Sequence, residues 1–210
     1  MYNPKHFQLD DLALARALID EHPLGLLIGP DADGASFVSH LPMGWGEDFG
    51  PAGKGGWWLE GHLARANPHA GWLAAQRELL VVFSGPGAYV SPRHYDSALS
   101  VPTWNYLALH VRGTVEIIEA PSDKDALLKR LIGRHEPEYI TQWQGLPPDY
   151  QQKMLAGIVG FRLHVSRWQA KAKISQNRSG AERARMHMQF SAGKPNEQGV
   201  ADWMSRMGLA

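Results

Sequence analysis

The chain has 210 residues, of which 44% are hydrophobic and 20% charged, and its 21 basic residues balance its 21 acidic residues. This composition predicts a globular protein with a substantial core and gives no general electrostatic reason to bind nucleic acid or an anionic membrane. The lack of cysteine excludes disulfides and thiol chemistry, and with no apolar run near the roughly 18 residues that span a bilayer and no secretory-signal layout, we expect a cytoplasmic protein.

The first part of the chain predicts one helix followed by short strands. An amphipathic helix is predicted in LDDLALARALIDEHP, and apolar runs at 24–29 and 35–43 flank the turn signal PDADG, which indicates a hairpin. A glycine-rich loop at 44–56 and a strand at 57–66 follow. Asn67 is suited to cap a helix whose first position is Pro68.

The rest of the chain alternates strands and helices less regularly. A buried strand at 79–83 precedes a turn-rich loop, SGPGAYVSP, and VPTWNYLALHVRG begins a strand that alternates as far as about Glu119. A helix capped by Ser122 is expected to follow at 122–136. The remaining predictions are a shorter helix at 149–157, a strand at 160–168, a helix after KISQNR and a terminal helix.

These elements favour a mainly β fold with flanking helices, of α+β class. Six or so strands with hairpin-length links predict an antiparallel sheet closed or nearly closed into a barrel. A Rossmann fold is excluded because strict β–α alternation and a GxGxxG turn are both absent. We expect one domain over residues 1–210 with a C-terminal helical tail from about 178 to 210.

Polar clusters at predicted strand ends indicate a phosphate-bearing ligand. Arg65 precedes one predicted helix, and Lys173, Ser175 and Arg178 precede another, so cations and a hydroxyl lie beside free helical N–H groups. Aromatic faces and ring-edge amides are the further groups that a flat polar heterocycle needs. They are supplied by Tyr89, Trp104, Tyr106, Asn105 and Gln176.

Other interpretations remain open for single residues. Taken singly, Trp104 is more typical of a core and Arg65 of a surface ion pair with a carboxylate. Ser91 and Ser175 lie outside any GxSxG motif, so a hydrolase has little support. His187 could ligate haem or lie on an exposed helix face. No metal site is expected, because HExxH is absent and the histidines lack dense ligand spacing.

Six motifs, in chain order, carry a family resemblance: MYNPKHF, SHLP, GHLARANP, GPGAYVSP, VPTWNY and KISQNR. They resemble the PaiB-type family of FMN-binding negative transcriptional regulators. The resemblance implies an FMN-binding split barrel related to flavin reductases and pyridoxamine phosphate oxidases, a homodimer with FMN at the subunit interface, and a regulatory role such as repression of protease production and sporulation.

The resemblance and the residue chemistry together nominate cofactor-binding residues. They are His62, Arg65, Asn67, Ser91, Thr103, Trp104, Asn105, Lys173, Ser175, Gln176 and Arg178. Trp57, Trp58 and Trp72 are suited to a dimer interface.

Three functions remain as hypotheses: an FMN-binding regulator, an FMN-dependent oxidoreductase that uses NAD(P)H, and a haem-binding split barrel. Direct DNA binding is doubtful, because the charge is balanced and no basic recognition helix is evident.

Overall fold

The structure, a computed structural model, describes residues 1–31, 33–47, 56–73 and 78–210. These residues form seven strands, seven α-helices and two 3₁₀ turns, at Lys5–Phe7 and Pro92–His94. In chain order, the strands and helices are β1 (Gln8–Leu9), α1 (Leu12–Glu21), β2 (Leu24–Pro30), β3 (Ser36–Glu47), β4 (Trp57–Ala64), α2 (His69–Leu73), β5 (Leu79–Val90), β6 (Thr103–Ile118), α3 (Pro121–His135), α4 (Tyr139–Gly145), α5 (Pro148–Ala156), β7 (Ile158–Lys173), α6 (Gly180–Ser191) and α7 (Pro195–Arg206).

The strands form one antiparallel sheet in the order β1-β7-β4-β3-β2-β5-β6, and β6 also pairs with β7. This additional pairing joins β2 to β7 into a closed ring, with β1 added to β7. The predicted mainly β fold with an antiparallel, closed sheet is therefore confirmed. None of the helices in the described residues is long and apolar enough to cross a membrane.

The chain divides into two compact units. Unit 1 comprises residues 1–15, 84–109 and 169–210, and unit 2 comprises residues 16–83 and 110–168. The expectation of a single domain stays a prediction.

Unit 2 contains most of the strand pairing. Its hairpin β2–β3 runs from Leu24 opposite Pro42 to Pro30 opposite Ser36. Alternating residues on these strands are buried because one face of the sheet lies on the core. Helix α3 adds to this core by packing Leu127 and Leu131 against Ile118.

Unit 1 contains the end of β7 and the C-terminal helices. Gln8 of β1 lies opposite Lys171 of β7. Helix α6 begins with a capping box in which Ser179 and Glu182 satisfy each other's backbone N–H groups. Fully buried side chains of α6 and α7 form the apolar centre of this unit, namely Met186, Phe190, Val200, Trp203 and Met204.

Three strands are clearly longer than predicted: β5, β3 and β7, of which β7 runs from Ile158 to Lys173 against a predicted 160–168. The predicted loop SGPGAYVSP is wrong, since β5 continues through Pro86 to Val90. Pro86 lies beyond the Leu80–Val82 stretch that pairs with β2, so its missing N–H leaves no gap in that ladder. Strand β3 continues to Glu47, into the predicted glycine-rich loop, and residues 48–55 of that loop lie outside the described residues.

The helix predictions need two corrections. Helix α3 begins at Pro121 with Ala120 as N-cap, so the prediction of a Ser122 cap is wrong; the fixed φ of proline suits the first helical position. Helix α4 was not predicted.

Trp57 and Trp58 are only 8% exposed, so they belong to the core of unit 2 rather than to an interface.

Candidate functional site

A pocket of about 260 Å³ lies within unit 1 and is called here the anion pocket. It is lined by the start of β6, the end of β7 with the turn that follows, and the 3₁₀ turn at Lys5–Phe7. Five of the predicted site residues line it, namely Thr103, Asn105, Lys173, Ser175 and Arg178. Because β6 and β7 are paired, residues about 70 positions apart in the chain meet there.

The anion pocket has cations but no acid in its lining. Lys173 and Arg178 both line it, and no Asp or Glu does. The Lys173 ammonium donates a hydrogen bond to Thr103 Oγ1. Burial lowers the pKa of Lys173, and the neighbouring charge of Lys171 lowers it further, while Tyr106 opposes this shift. A bound anion would relieve the repulsion between the two lysines.

Asn105 and Ser175 form one wall of the pocket. Asn105 is 1% exposed and Ser175 is 4% exposed. Asn105 Nδ2 donates to Ser175 Oγ at 2.9 Å. Ser175 has a φ of 70°, in the left-handed backbone region that residues other than glycine rarely adopt. The paired side chains hold the backbone in this turn.

The turn after β7 presents free backbone donors. Both polar atoms of the Gln176 side-chain amide form hydrogen bonds inside the turn. Oε1 accepts from Ile174 N–H at 2.9 Å, and Nε2 donates to Ala172 O. Arg178 N–H donates to Ser175 O at 3.0 Å and closes the turn. Among the described residues, the N–H groups of Gln176 and Asn177 have no hydrogen-bond acceptor. Successive free N–H groups at such a turn suit an anion.

Arg178 is held by an aromatic ring. Its guanidinium carbon lies 3.6 Å from the ring centroid of Tyr95, which also lines the pocket. Arg178 has no ion pair with a described residue. Glu182 has a lowered pKa chiefly because the N–H groups of Asp96 and Ser179 donate to it, and the charge of Arg178 adds a smaller effect.

Three predicted residues of unit 1 lie outside the lining of the pocket, namely Gln176, whose amide is engaged inside the turn after β7, Ser91 and Trp104. Ser91 caps the 3₁₀ turn Pro92–His94 by accepting from Arg93 N–H. Trp104 is 57% exposed, and its ring meets Tyr89 edge-on at 6.2 Å between centroids. Trp104 is therefore a surface residue of this chain and not a core tryptophan.

Unit 2 contains the predicted residues His62, Arg65 and Asn67. His62 lies on β4, burial lowers its pKa, and its Nδ1 is buried without a partner among the described residues. Asn67 Oδ1 accepts from His69 N–H at 2.9 Å, and its Nδ2 donates to Ser39 Oγ at 3.0 Å. Asn67 therefore acts at the start of α2, as its position before Pro68 predicts.

The Arg65 guanidinium is engaged within unit 2. It donates to both carboxylate oxygens of Glu119, at 3.2 and 2.7 Å, and to the carbonyls of Ala156 and Ile158. Lys124 also reaches Glu119, at 2.8 Å. Hydrogen bonds from Arg65 and then Lys124 lower the pKa of Glu119 to about 2. The role of Arg65 at a phosphate stays a prediction.

The residues nominated for other ligands have ordinary surroundings. His187 Nε2 lies 2.9 Å from Ser205 Oγ, which links α6 to α7. Within the described ranges, no group of three or more His, Asp or Glu side chains could hold a metal ion.

Several pocket residues were not predicted from the sequence. They are His6, Phe7, Tyr95, Val101, Pro102 and Asn177. Phe7 and Lys173 are far apart in the chain and meet because β1 pairs with β7. Tyr95 follows a predicted turn, where an aromatic residue gives no local signal of a binding role.

Fold and site together define a closed β-barrel protein with a pocket that is lined by two cations and no acidic residue. Residues 1–167 match the family described as "Putative FMN-binding domain", and the chain belongs to this family. It is 31% identical over 211 residues to "Protease synthase and sporulation protein PAI 2" of Bacillus subtilis, covering 97% of this chain and 96% of that protein. An uncharacterised protein of Saccharomyces cerevisiae is 33% identical over 152 residues, covering 62% of this chain and 86% of its own length.

Solved structures share the fold at low sequence identity. An FAD- and haem-binding protein of Mycobacterium smegmatis superposes with a TM-score of 0.60 at 20% identity, covering 79% of this chain and 73% of that one. A conserved protein of Mycobacterium tuberculosis superposes with a TM-score of 0.55 at 14% identity, covering 84% of this chain and 92% of that one. The shared fold is the split barrel, as the sequence motifs predicted.

Proposed function

We propose that this protein binds FMN through its phosphate in the anion pocket and acts as a flavin-dependent regulatory protein. The observation that carries the proposal is a pocket lined by two cations and no acidic residue, beside a turn in which the N–H groups of Gln176 and Asn177 have no acceptor among the described residues. Lys173, Arg178 and the turn at Gln176 and Asn177 would hold the phosphate, and Thr103 and Asn105 would contact the adjoining part of the ligand. Bound FMN supplies one- and two-electron redox chemistry that these side chains lack.

The regulatory part of the proposal rests on sequence similarity to one relative. The relative of Bacillus subtilis, whose name refers to protease synthesis and sporulation, matches nearly the full length of both chains. A flavin-binding protein without an activated nucleophile or a metal cluster in its described residues is suited to sense redox state or flavin supply. We propose a cytoplasmic location, in keeping with such a role.

A homodimer forms part of the proposal. The anion pocket, at about 260 Å³, is smaller than the roughly 300–1,000 Å³ of pockets that enclose a whole drug-sized ligand, so the flavin ring would extend beyond it. Unit 1 exposes apolar side chains suited to a self-complementary contact. They are Tyr89, Leu99, Val101 and Trp104, at 49%, 97%, 74% and 57% exposure.

Direct DNA contact is not part of the proposal. In the most basic segment, from Lys171 to Arg185, Lys173 and Arg178 line the anion pocket. Lys171 is 6% exposed, and Arg185 pairs with Asp96 at 2.5 Å. We expect gel shifts with promoter fragments to show only weak binding that disappears as salt is added.

The test is ligand binding with and without the phosphate. We expect the purified protein to show flavin absorption or to bind FMN in titration calorimetry. Lys173→Met and Arg178→Met should each weaken FMN about tenfold and change riboflavin less than about twofold, since each removes a charge-assisted hydrogen bond. Lys153→Met, which removes an exposed lysine of α5, serves as the charge-matched control.

Three outcomes would contradict the proposal. Equal losses for FMN and riboflavin would mean that these cations do not hold the phosphate. Failure of the unmodified protein to bind either flavin would remove the cofactor. A haem absorption band in place of flavin would favour the haem-binding alternative.

A further inference from the structure

Arg178 is oriented by a ring and not by a carboxylate. An acid beside an arginine fixes the guanidinium but also neutralises it and occupies its N–H groups. Stacking on an aromatic face leaves the in-plane N–H groups free. The 3.6 Å separation between the guanidinium carbon and the Tyr95 ring centroid is a close stack of this kind.

Tyr95 itself is held firmly by the turn before it. Its side chain is 8% exposed, and its N–H donates to Pro92 O at 2.9 Å. The Ser91 hydroxyl caps the same turn. The ring therefore has little freedom to follow a mobile arginine.

The start of α6 fixes the Tyr95 turn and Arg178 relative to each other. Glu182, the acidic member of the capping box, accepts from Asp96 N–H at 3.0 Å with Oε1 and from Ser179 N–H at 3.0 Å with Oε2. Arg185 Nε donates to His94 O at 3.0 Å. Arg183 donates to Arg178 O at 2.7 Å. Residues on both sides of Tyr95 and the backbone of Arg178 are thus tied to one helix end.

We propose that Tyr95 is a positioning residue of the anion pocket, which presents the Arg178 guanidinium to a phosphate monoester and so sets the preference for phosphorylated over unphosphorylated ligands. This inference rests on the proposed function, because FMN is the phosphate monoester in question. Tyr95 acts through Arg178, so its removal matters only while Arg178 is present.

The test combines ring-removing and ring-keeping variants with both flavins. Tyr95→Leu should weaken FMN about fivefold to tenfold and leave riboflavin within about twofold, whereas Tyr95→Phe should keep FMN within about twofold. In an Arg178→Met background, Tyr95→Leu should have no further effect on FMN. Tyr150→Leu, at a tyrosine of α5 that is 49% exposed, is the control for loss of a tyrosine.

If Tyr95→Leu does not fold, an NMR measurement without ligand tests the inference instead. The Arg178 Nε–H proton, assigned by its loss in Arg178→Lys, should resonate upfield in the unmodified protein and in Tyr95→Phe because it lies over a ring. An ordinary shift in both would overturn the inference.

Loss of FMN and riboflavin to the same extent in Tyr95→Leu would also overturn it, as would an equal effect of Tyr95→Leu with and without Arg178. If the unmodified protein binds no flavin, the proposed function fails, and inorganic phosphate becomes the probe. Perturbation of the upfield Arg178 resonance by phosphate would then support the role of Tyr95, and no perturbation would overturn it.

Discussion

Asn105 and Ser175 exchange two hydrogen bonds in the wall of the anion pocket, at 2.9 Å from Asn105 Nδ2 to Ser175 Oγ and 3.1 Å from Ser175 Oγ to Asn105 Oδ1. Both side chains are buried, and Ser175 has a φ of 70°. A left-handed residue is thus held in the wall of the anion pocket by a buried polar pair. Such strain persists only where the surroundings fix it.

Substitutions at Ser175 should separate the contribution of its hydrogen bonds to Asn105 from the cost of its left-handed backbone. Ser175→Ala leaves the buried Asn105 amide without its partner and should cost about 2 kcal/mol of unfolding free energy. Ser175→Gly loses the same partner but relieves the left-handed backbone, so it should be about 1 kcal/mol more stable than Ser175→Ala. Urea denaturation gives both values. Equal losses would show that Ser175 does not have a positive φ in solution.

The buried carboxylate of Glu60 should be essential to unit 2. Its side chain is 3% exposed and accepts from Arg130 Nε and Nη2 at 2.6 and 2.7 Å. Glu60→Gln leaves the arginine without its counter-charge and should cost about 3 kcal/mol in urea denaturation. The matched control is Glu78→Gln, at a half-exposed carboxylate paired with Arg167, which should cost less than about 1 kcal/mol. Equal costs would contradict the importance of burial.

Arg65→Ala should affect stability more than flavin binding. The substitution removes hydrogen bonds to Glu119 and to two carbonyls, so we expect a lower urea midpoint and equal, less than about twofold, changes in FMN and riboflavin affinity. Arg112→Ala, at an arginine with a looser 3.5 Å ion pair to Glu78, is the control and should change the midpoint less. An unchanged midpoint with an FMN-specific loss would instead favour the sequence-based assignment of Arg65 to the phosphate.

Acid should weaken unit 2 through Glu119. The pKa of this carboxylate lies at about 2 against an ordinary 4.5, because Arg65 and then Lys124 donate hydrogen bonds to its charged form. Its contribution is fully present above pH 4.5 and is lost as the pH falls towards 2. Since the side chain is half exposed, we expect about 1 kcal/mol, measured as the difference in the pH dependence of stability between the unmodified protein and Glu119→Gln. Parallel pH profiles would refute this assignment.

Trp104→Glu should convert the proposed dimer into a monomer. A charge in the exposed Tyr89–Trp104 pair would have to be buried on association, while the fold of the monomer would be unaffected because Trp104 is 57% exposed. Light scattering should give twice the 23.3 kDa chain mass for the unmodified protein and a single chain mass for the variant. An unmodified protein that is monomeric at every concentration would remove the dimer proposal.

Local patterns explain which elements were predicted correctly. The alternation in LALHVRG gave β6, and the Ser179–Glu182 spacing with its capping box lies where a helix was expected to resume. These signals need only neighbours within four residues. The turn at Ser175 and Arg178 was likewise predicted to hold a phosphate, because its cations and hydroxyl are close together in the sequence, and this assignment stays a prediction.

Tertiary structure decided what local patterns could not. Arg65, like Arg178, lies shortly before a helix, yet its guanidinium binds Glu119, 54 residues away, whereas the Arg178 guanidinium stacks on Tyr95. Pro86 reads as a loop residue but lies in β5, because the ladder with β2 has already ended. The sequence alone determined the class of fold and the family, since these depend on periodicity and short motifs, and it predicted an anionic ligand. Strand pairing and packing decide which cations stay free for that ligand. They bring distant residues together, and some cations then form ion pairs within the chain.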